Sequence, residues 1–139
     1  MPTLASMLLA ASAAVMLFLG CAHLLLTFRG NAFDPRDAAL KARLQAVSPV
    51  ITRQTSMWKA WVGFNASHSL GAMLFGLVYG YLALAEPVVL FGSAFLSGVG
   101  LAMLGGYVFL SRRYWFRVPF RGTALATALY VAALVAQRA

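Results

Sequence analysis

Residues 4–28 read LASMLLAASAAVMLFLGCAHLLLTF, a run without a single charged side chain. As a helix rising about 1.5 Å per residue, it exceeds the roughly 20 residues needed to cross a bilayer core. The pattern recurs from about Met57 to Ala85, from about Val88 to Leu110 and from about Phe120 to Ala136. Trp58 and Trp61 open the second run and Glu86-Pro87 closes it. Pro87 cannot extend the ladder of a preceding helix, so a tight turn is expected there. These spans predict an all-α integral membrane four-helix bundle, a single domain over residues 1–139 with no internal repeat.

Composition points the same way. Of 139 residues 62% are hydrophobic and the mean hydropathy is +0.81, which leaves too little polar surface to cover a water-soluble globule. That composition excludes a disordered chain and does not suit a soluble nucleic-acid binder. The single cysteine, Cys21, rules out an intrachain disulfide framework, and no Cys/His spacing matches a zinc site. No Lys or Arg precedes the first run, so it is expected to remain as a span rather than to leave as a signal peptide.

Charge gives the expected orientation. The first connection carries Arg29, Arg36, Lys41, Arg43 and Arg53, with Lys59 just beyond, and the third carries Arg112, Arg113, Arg117 and Arg121. The opposite side has only Arg138. Basic loops are retained on the cytoplasmic side, so loops one and three are expected in the cytoplasm of a bacterial cell and both termini in the periplasm.

In loop one, Asp34-Pro35-Arg36-Asp37 has the form of a helix start, and Leu40, Leu44, Val47 and Ile51 follow at helical spacing. An interfacial helix on the inner leaflet is expected, with Asp37 and Lys41 paired at i,i+4 and Ser48-Pro49 ending it. Loop three mixes Arg112, Arg113, Arg117 and Arg121 with Tyr114, Trp115, Phe116 and Phe120. An aromatic belt with arginines on anionic headgroups accounts for that mixture, and no nucleic-acid partner is expected.

The most informative stretch is Trp61 to Gly71. Asn65, His68, Ser69 and Ala72 fall on one helical face, continued by Gly76 and Gly80 at four-residue steps. Ala72, Gly76 and Gly80 are expected to seat a neighbouring helix, and in span three Ser93 and Ser97 form a comparable step. The polar half of the face needs a polar partner, which span one offers in His23. His23 lies about 7.5 Å and His68 about 10 Å from the cytoplasmic ends of their spans, so the two rings are expected at similar depth.

Three roles are open to His23, Asn65, Ser67, His68 and Ser69. They could form an interhelical hydrogen-bond network that sets register. They could bind the polar end of a quinone or lipid-like molecule, with Trp61, Phe64 and Phe75 against its apolar body. His23 and His68 could also ligate a haem between facing helices. No cofactor is predicted outright, and no metal beyond such a haem.

Missing residues restrict the chemistry further. No Asp or Glu lies inside a span, so a buried carboxylate acid/base pair is excluded. Ser67 and His68, being adjacent on a helix, point apart and form no hydrolytic triad. A proton-coupled transporter would have only the histidines to use. The expected function is therefore that of a non-enzymatic inner-membrane protein, an accessory or small-ligand-binding component that could dock on another membrane protein or on itself. A quinone- or haem-binding redox subunit and a small transporter are the alternatives.

Gly20-x-x-His23, Trp61-x-x-Phe64-Asn65-x-Ser67-His68-Ser69-x-Gly71 and Tyr114-Trp115-Phe116-x-x-Pro119 together resemble small bacterial four-span membrane proteins. The resemblance covers nearly the whole chain and implies a compact four-helix membrane protein with no assigned reaction. Sterol-isomerase-like and DoxX-like proteins are similar in span count alone. The former use intramembrane acids that are missing here, so no catalytic residue carries over.

Overall fold

The computed structural model describes residues 2–138, and no strand occurs among them. Six helices follow in order: α1 Leu4–Phe28, α2 Ala38–Ala46, α3 Met57–Ala85, α4 Pro87–Gly92, α5 Ala94–Tyr114 and α6 Arg117–Ala136. The fold is all-α, and α1, α3, α5 and α6 are long and apolar enough to cross a membrane. Just past α1, Gly30 adopts a φ of +80°, a left-handed conformation that glycine takes without a Cβ clash and that turns the chain out of the helix.

Several boundaries differ from those expected. Pro87 opens α4 rather than a plain turn, because a helix's first turn needs no N–H from it. The chain breaks at Ser93, whose hydroxyl accepts the Leu96 N–H at 3.2 Å and caps α5. α5 then continues past Leu110 to Tyr114. α6 begins at Arg117 rather than Phe120, since Pro119 is tolerated in its first turn. Loop three is thereby reduced to Trp115 and Phe116.

Loop one also shifts. α2 is capped by Asp37, whose carboxylate accepts the Ala39 N–H at 2.9 Å, while Asp34 and Pro35 stay outside the helix. With Asp37 committed to the cap, Lys41 pairs with Asp34 at 2.6 Å instead. The residue before a proline avoids the helical region, and here the chain has already left the helix at Val47, two residues before Pro49. Ile51 consequently lies outside α2, and no residue of α2 is buried.

The chain divides into two compact units, described separately. One is Gly20–Gly71, called here the histidine unit; the other, the core unit, comprises the residues up to Leu19 and those from Ala72 onward. In the core unit Leu9, Ala13 and Met16 of α1 cluster with Phe75, Tyr79 and Ala83 of α3, Leu90 of α4, Leu104 of α5, and Ala126, Tyr130 and Ala133 of α6.

Small residues set the spacing of that cluster. A Cβ built on Gly76 would lie 2.6 Å from Leu17 Cβ and 2.7 Å from the Ala13 carbonyl oxygen, so α3 meets α1 backbone to backbone there. Gly80 is looser, with Ala13 Cβ at 3.6 Å, and Ala72 is buried beside them. Of the expected Ser93/Ser97 step, Ser93 caps α5 and the Ser97 carbonyl of that helix accepts from Tyr130. The tight position of α5 is Gly100, where a Cβ would stand 2.7 Å from ring carbons of both Tyr79 and Tyr130.

Polar groups in this core are satisfied by backbone carbonyls. Tyr79 donates to Leu96 O at 2.7 Å, Tyr130 to Ser97 O at 3.0 Å and Ser12 to Ala126 O at 2.7 Å. Among the described residues no buried side-chain nitrogen or oxygen lacks a partner.

Candidate polar site of the histidine unit

The site is assembled from the last turns of α1 and the first turns of α3. His23 and Thr27 stand on α1 one turn apart, and the Thr27 hydroxyl donates to the His23 carbonyl at 2.8 Å. Trp61, Asn65, His68 and Ser69 come from α3. Asn65 donates its amide N–H to the Trp61 carbonyl at 2.9 Å, one turn back on its own helix. That bond fixes which way the amide faces and turns Oδ1 toward His23 Nε2, 3.0 Å away. An amide oxygen only accepts, so His23 donates from Nε2. In a neutral ring the other nitrogen, Nδ1, is then an acceptor.

Aromatic contacts surround this bond. The His68 ring meets His23 edge to face with centroids 5.3 Å apart, and Phe33 packs on the His23 ring at 4.6 Å. Phe33 is brought in from the loop after α1 by Trp61, whose Nε1–H donates to the Phe33 carbonyl at 3.1 Å. No periodicity marks Phe33, because it lies in irregular chain; the only signal is an apolar residue three positions after the turn glycine Gly30.

The other expected members fall into place unequally. Ser69 is buried, but its hydroxyl donates to the Asn65 carbonyl at 2.9 Å and so braces the helix beneath the site. Ser67 does not join the cluster: it is exposed and bonds Phe64 O at 3.0 Å, since residue 67 faces away from 65, 68 and 69 on a helix. Phe64 is exposed, and Phe75 belongs to the core unit, stacked on Tyr79 at 4.5 Å.

Beside Asn65 a cavity of about 20 Å³ is lined by Thr27, Phe33, Asp34, Trp58 and Trp61 among others. That volume takes one water-sized group. Asp34, its only carboxylate, is held by Lys41, whose ammonium also sits 4.9 Å from the centre of the Trp58 ring. The cavity is thus walled by the two tryptophans, Phe33, Thr27 and Asn65.

The rings of His23 and His68 meet edge to face, and His23 Nε2 is engaged by Asn65 Oδ1. Among the described residues, no group of three His, Cys, Asp or Glu side chains converges as a metal site. The basic residues singled out from the sequence lie elsewhere: Arg112 and Arg113 in the last turn of α5, and Arg117 and Arg121 in the opening turns of α6.

Fold and site thus define an all-helical chain with four helices able to cross a membrane and a histidine–asparagine cluster where α1 ends and α3 begins. Comparison with models of protein families, with curated proteins and with solved structures finds no match.

Proposed function

We propose that this chain is a non-enzymatic integral protein of a bacterial inner membrane. In this reading it is an accessory component that holds a small polar or lipid-like ligand at His23, Asn65 and His68. The observation that carries the reading is the 3.0 Å bond between His23 and Asn65, with the His68 ring against it and a small cavity alongside. Intramembrane imidazoles are costly, and clusters of them mark function more often than surface histidines do. A cavity of about 20 Å³ favours a hydroxyl or a headgroup fragment over a quinone ring.

Orientation belongs to the same reading. Ten basic residues in loops one and three and their flanks, against Arg138 alone on the other side, support loops in the cytoplasm and both termini in the periplasm. Reporter fusions at Glu86 and after Ala136 should both read periplasmic, and a cytoplasmic signal at either would overturn the orientation.

The ligand is tested by native mass spectrometry of protein purified from its own membranes. A small-molecule or lipid adduct retained by the wild type and lost in Asn65→Leu and His68→Leu is expected. No adduct, or an adduct indifferent to both substitutions, overturns the binding role. Visible absorbance of the same sample should show no Soret band.

A further inference from the structure

We propose that the groove between the end of α5 and the start of α6 binds one anionic phospholipid through its phosphate. The proposal rests on the membrane reading above but concerns a second site. The groove has a volume of about 360 Å³ and is lined by Ser111, Arg112, Trp115, Phe116, Arg117 and Phe120. Arg112 is held over the Phe120 ring with its guanidinium carbon 5.8 Å from the centroid. Such stacking restrains the side chain while leaving its N–H fork free to meet a phosphate.

Charge complementarity identifies the occupant. Arg112, Arg113, Arg117 and Arg121 crowd into two short turns, and the sequence has only three Asp or Glu side chains with which to balance them. Asp34 is paired with Lys41, and Asp37 caps α2. Glu86 precedes α4, on the far side of the 21 residues of α5, roughly 30 Å away at about 1.5 Å each. Arg112 and Arg113 offset the negative end of α5, but Arg117 stands at the positive end of α6, where no acidic residue occurs in the first turn. The missing counter-charge must come from outside the chain. Ser111 is neutral, and its hydroxyl is engaged with Val108 O and Thr123, both at 3.0 Å.

A lipid fits better than free phosphate because the groove is also apolar. Trp115, Phe116 and Phe120 form its walls, Phe116 is exposed, and so are Phe109 and Val118, close by in the sequence. A diester headgroup at Arg112 and Arg117 would lay its acyl chains along these residues, at the level where aromatic belts and arginines meet a bilayer. Free phosphate would use only the basic half.

The test is native mass spectrometry of the full chain titrated with phosphatidylglycerol and with phosphatidylcholine. One phosphatidylglycerol should be retained in preference to phosphatidylcholine. In the Arg112→Gln/Arg117→Gln double variant its affinity should fall at least about tenfold. Arg36→Gln/Arg53→Gln, which removes equal charge elsewhere, should leave it unchanged. Equal retention of both lipids, an equal loss in the two double variants, or displacement by millimolar inorganic phosphate would each overturn the proposal. A second measurement avoids any folding defect of the arginine variants: with Trp58→Phe and Trp61→Phe in place, brominated phosphatidylglycerol should quench Trp115 more than brominated phosphatidylcholine does. Equal quenching would also overturn it. Failure here, with the adduct at Asn65 and His68 intact, would leave the histidine site standing.

Discussion

The two units of this chain handle polarity in opposite ways. In the core unit polar side chains are buried and each is tied to a backbone carbonyl or a hydroxyl, with tyrosines filling the gaps that Gly100 leaves open. In the histidine unit only Gly20 and Ser69 are buried, and the polar side chains face one another in a half-covered cluster. The first arrangement depends on close backbone approach, which is unforgiving of volume. The second depends on the orientation of a few amide and imidazole groups and tolerates added volume nearby.

The glycines break this comparison most directly. Gly76→Ala places a methyl group against the Ala13 carbonyl and the Leu17 backbone, neither of which can rotate away. A loss of about 1–3 kcal/mol, the usual range for overpacking, is expected in unfolding from detergent micelles. In the histidine unit a Cβ at Gly63 would meet nothing within 4 Å. Gly63→Ala should therefore stabilise the chain by up to about 0.5–1 kcal/mol, the helical preference of alanine over glycine. Equal destabilisation by the two would mean that the units do not differ in packing as described.

The histidine cluster should respond as a coupled pair. A double-mutant cycle with His23→Phe and Asn65→Leu is expected to give an interaction energy of about 0.6 kcal/mol, the average for interhelical polar bonds in membranes, and no more than about 1.7 kcal/mol. Additive effects would mean that the 3.0 Å contact contributes nothing. By contrast, Ser67→Ala should be nearly silent, since its hydroxyl bonds only its own helix.

Much of this was legible in the residues. Uncharged runs mark the long helices, because apolar length alone sets them, and α1 and α3 begin and end where the runs do. Depth counted along two antiparallel helices brought His23 and His68 to one level, and the structure puts their rings 5.3 Å apart. What escaped the sequence depended on competition between local alternatives. Asp34 and Asp37 could each cap a helix, and only the chain path decides which carboxylate is left for Lys41. Pro87 read as a turn but serves as a helix start, since a proline's missing N–H is neutral in a first turn. Gly100 and Tyr130 are separated by thirty positions, and no local pattern announces that one makes room for the other.

The smallest expected effect concerns the pair that the sequence misassigned. Lys41 and Asp34 meet at 2.6 Å, yet both side chains remain partly open, with relative exposures of 34% and 24%. Ion pairs in such settings contribute about 0.2–1 kcal/mol and weaken as salt is added. Lys41 is also held over Trp58 at 4.9 Å, a contact that survives loss of the carboxylate. Asp34→Asn should therefore cost no more than a few tenths of a kcal/mol at high salt. Lys41→Met, which loses the charge from both partners, should cost more at every ionic strength. If Asp34→Asn proves as damaging as Gly76→Ala, the histidine unit is held by this strap rather than by its rings, and the contrast between the two units must be redrawn around Asp34.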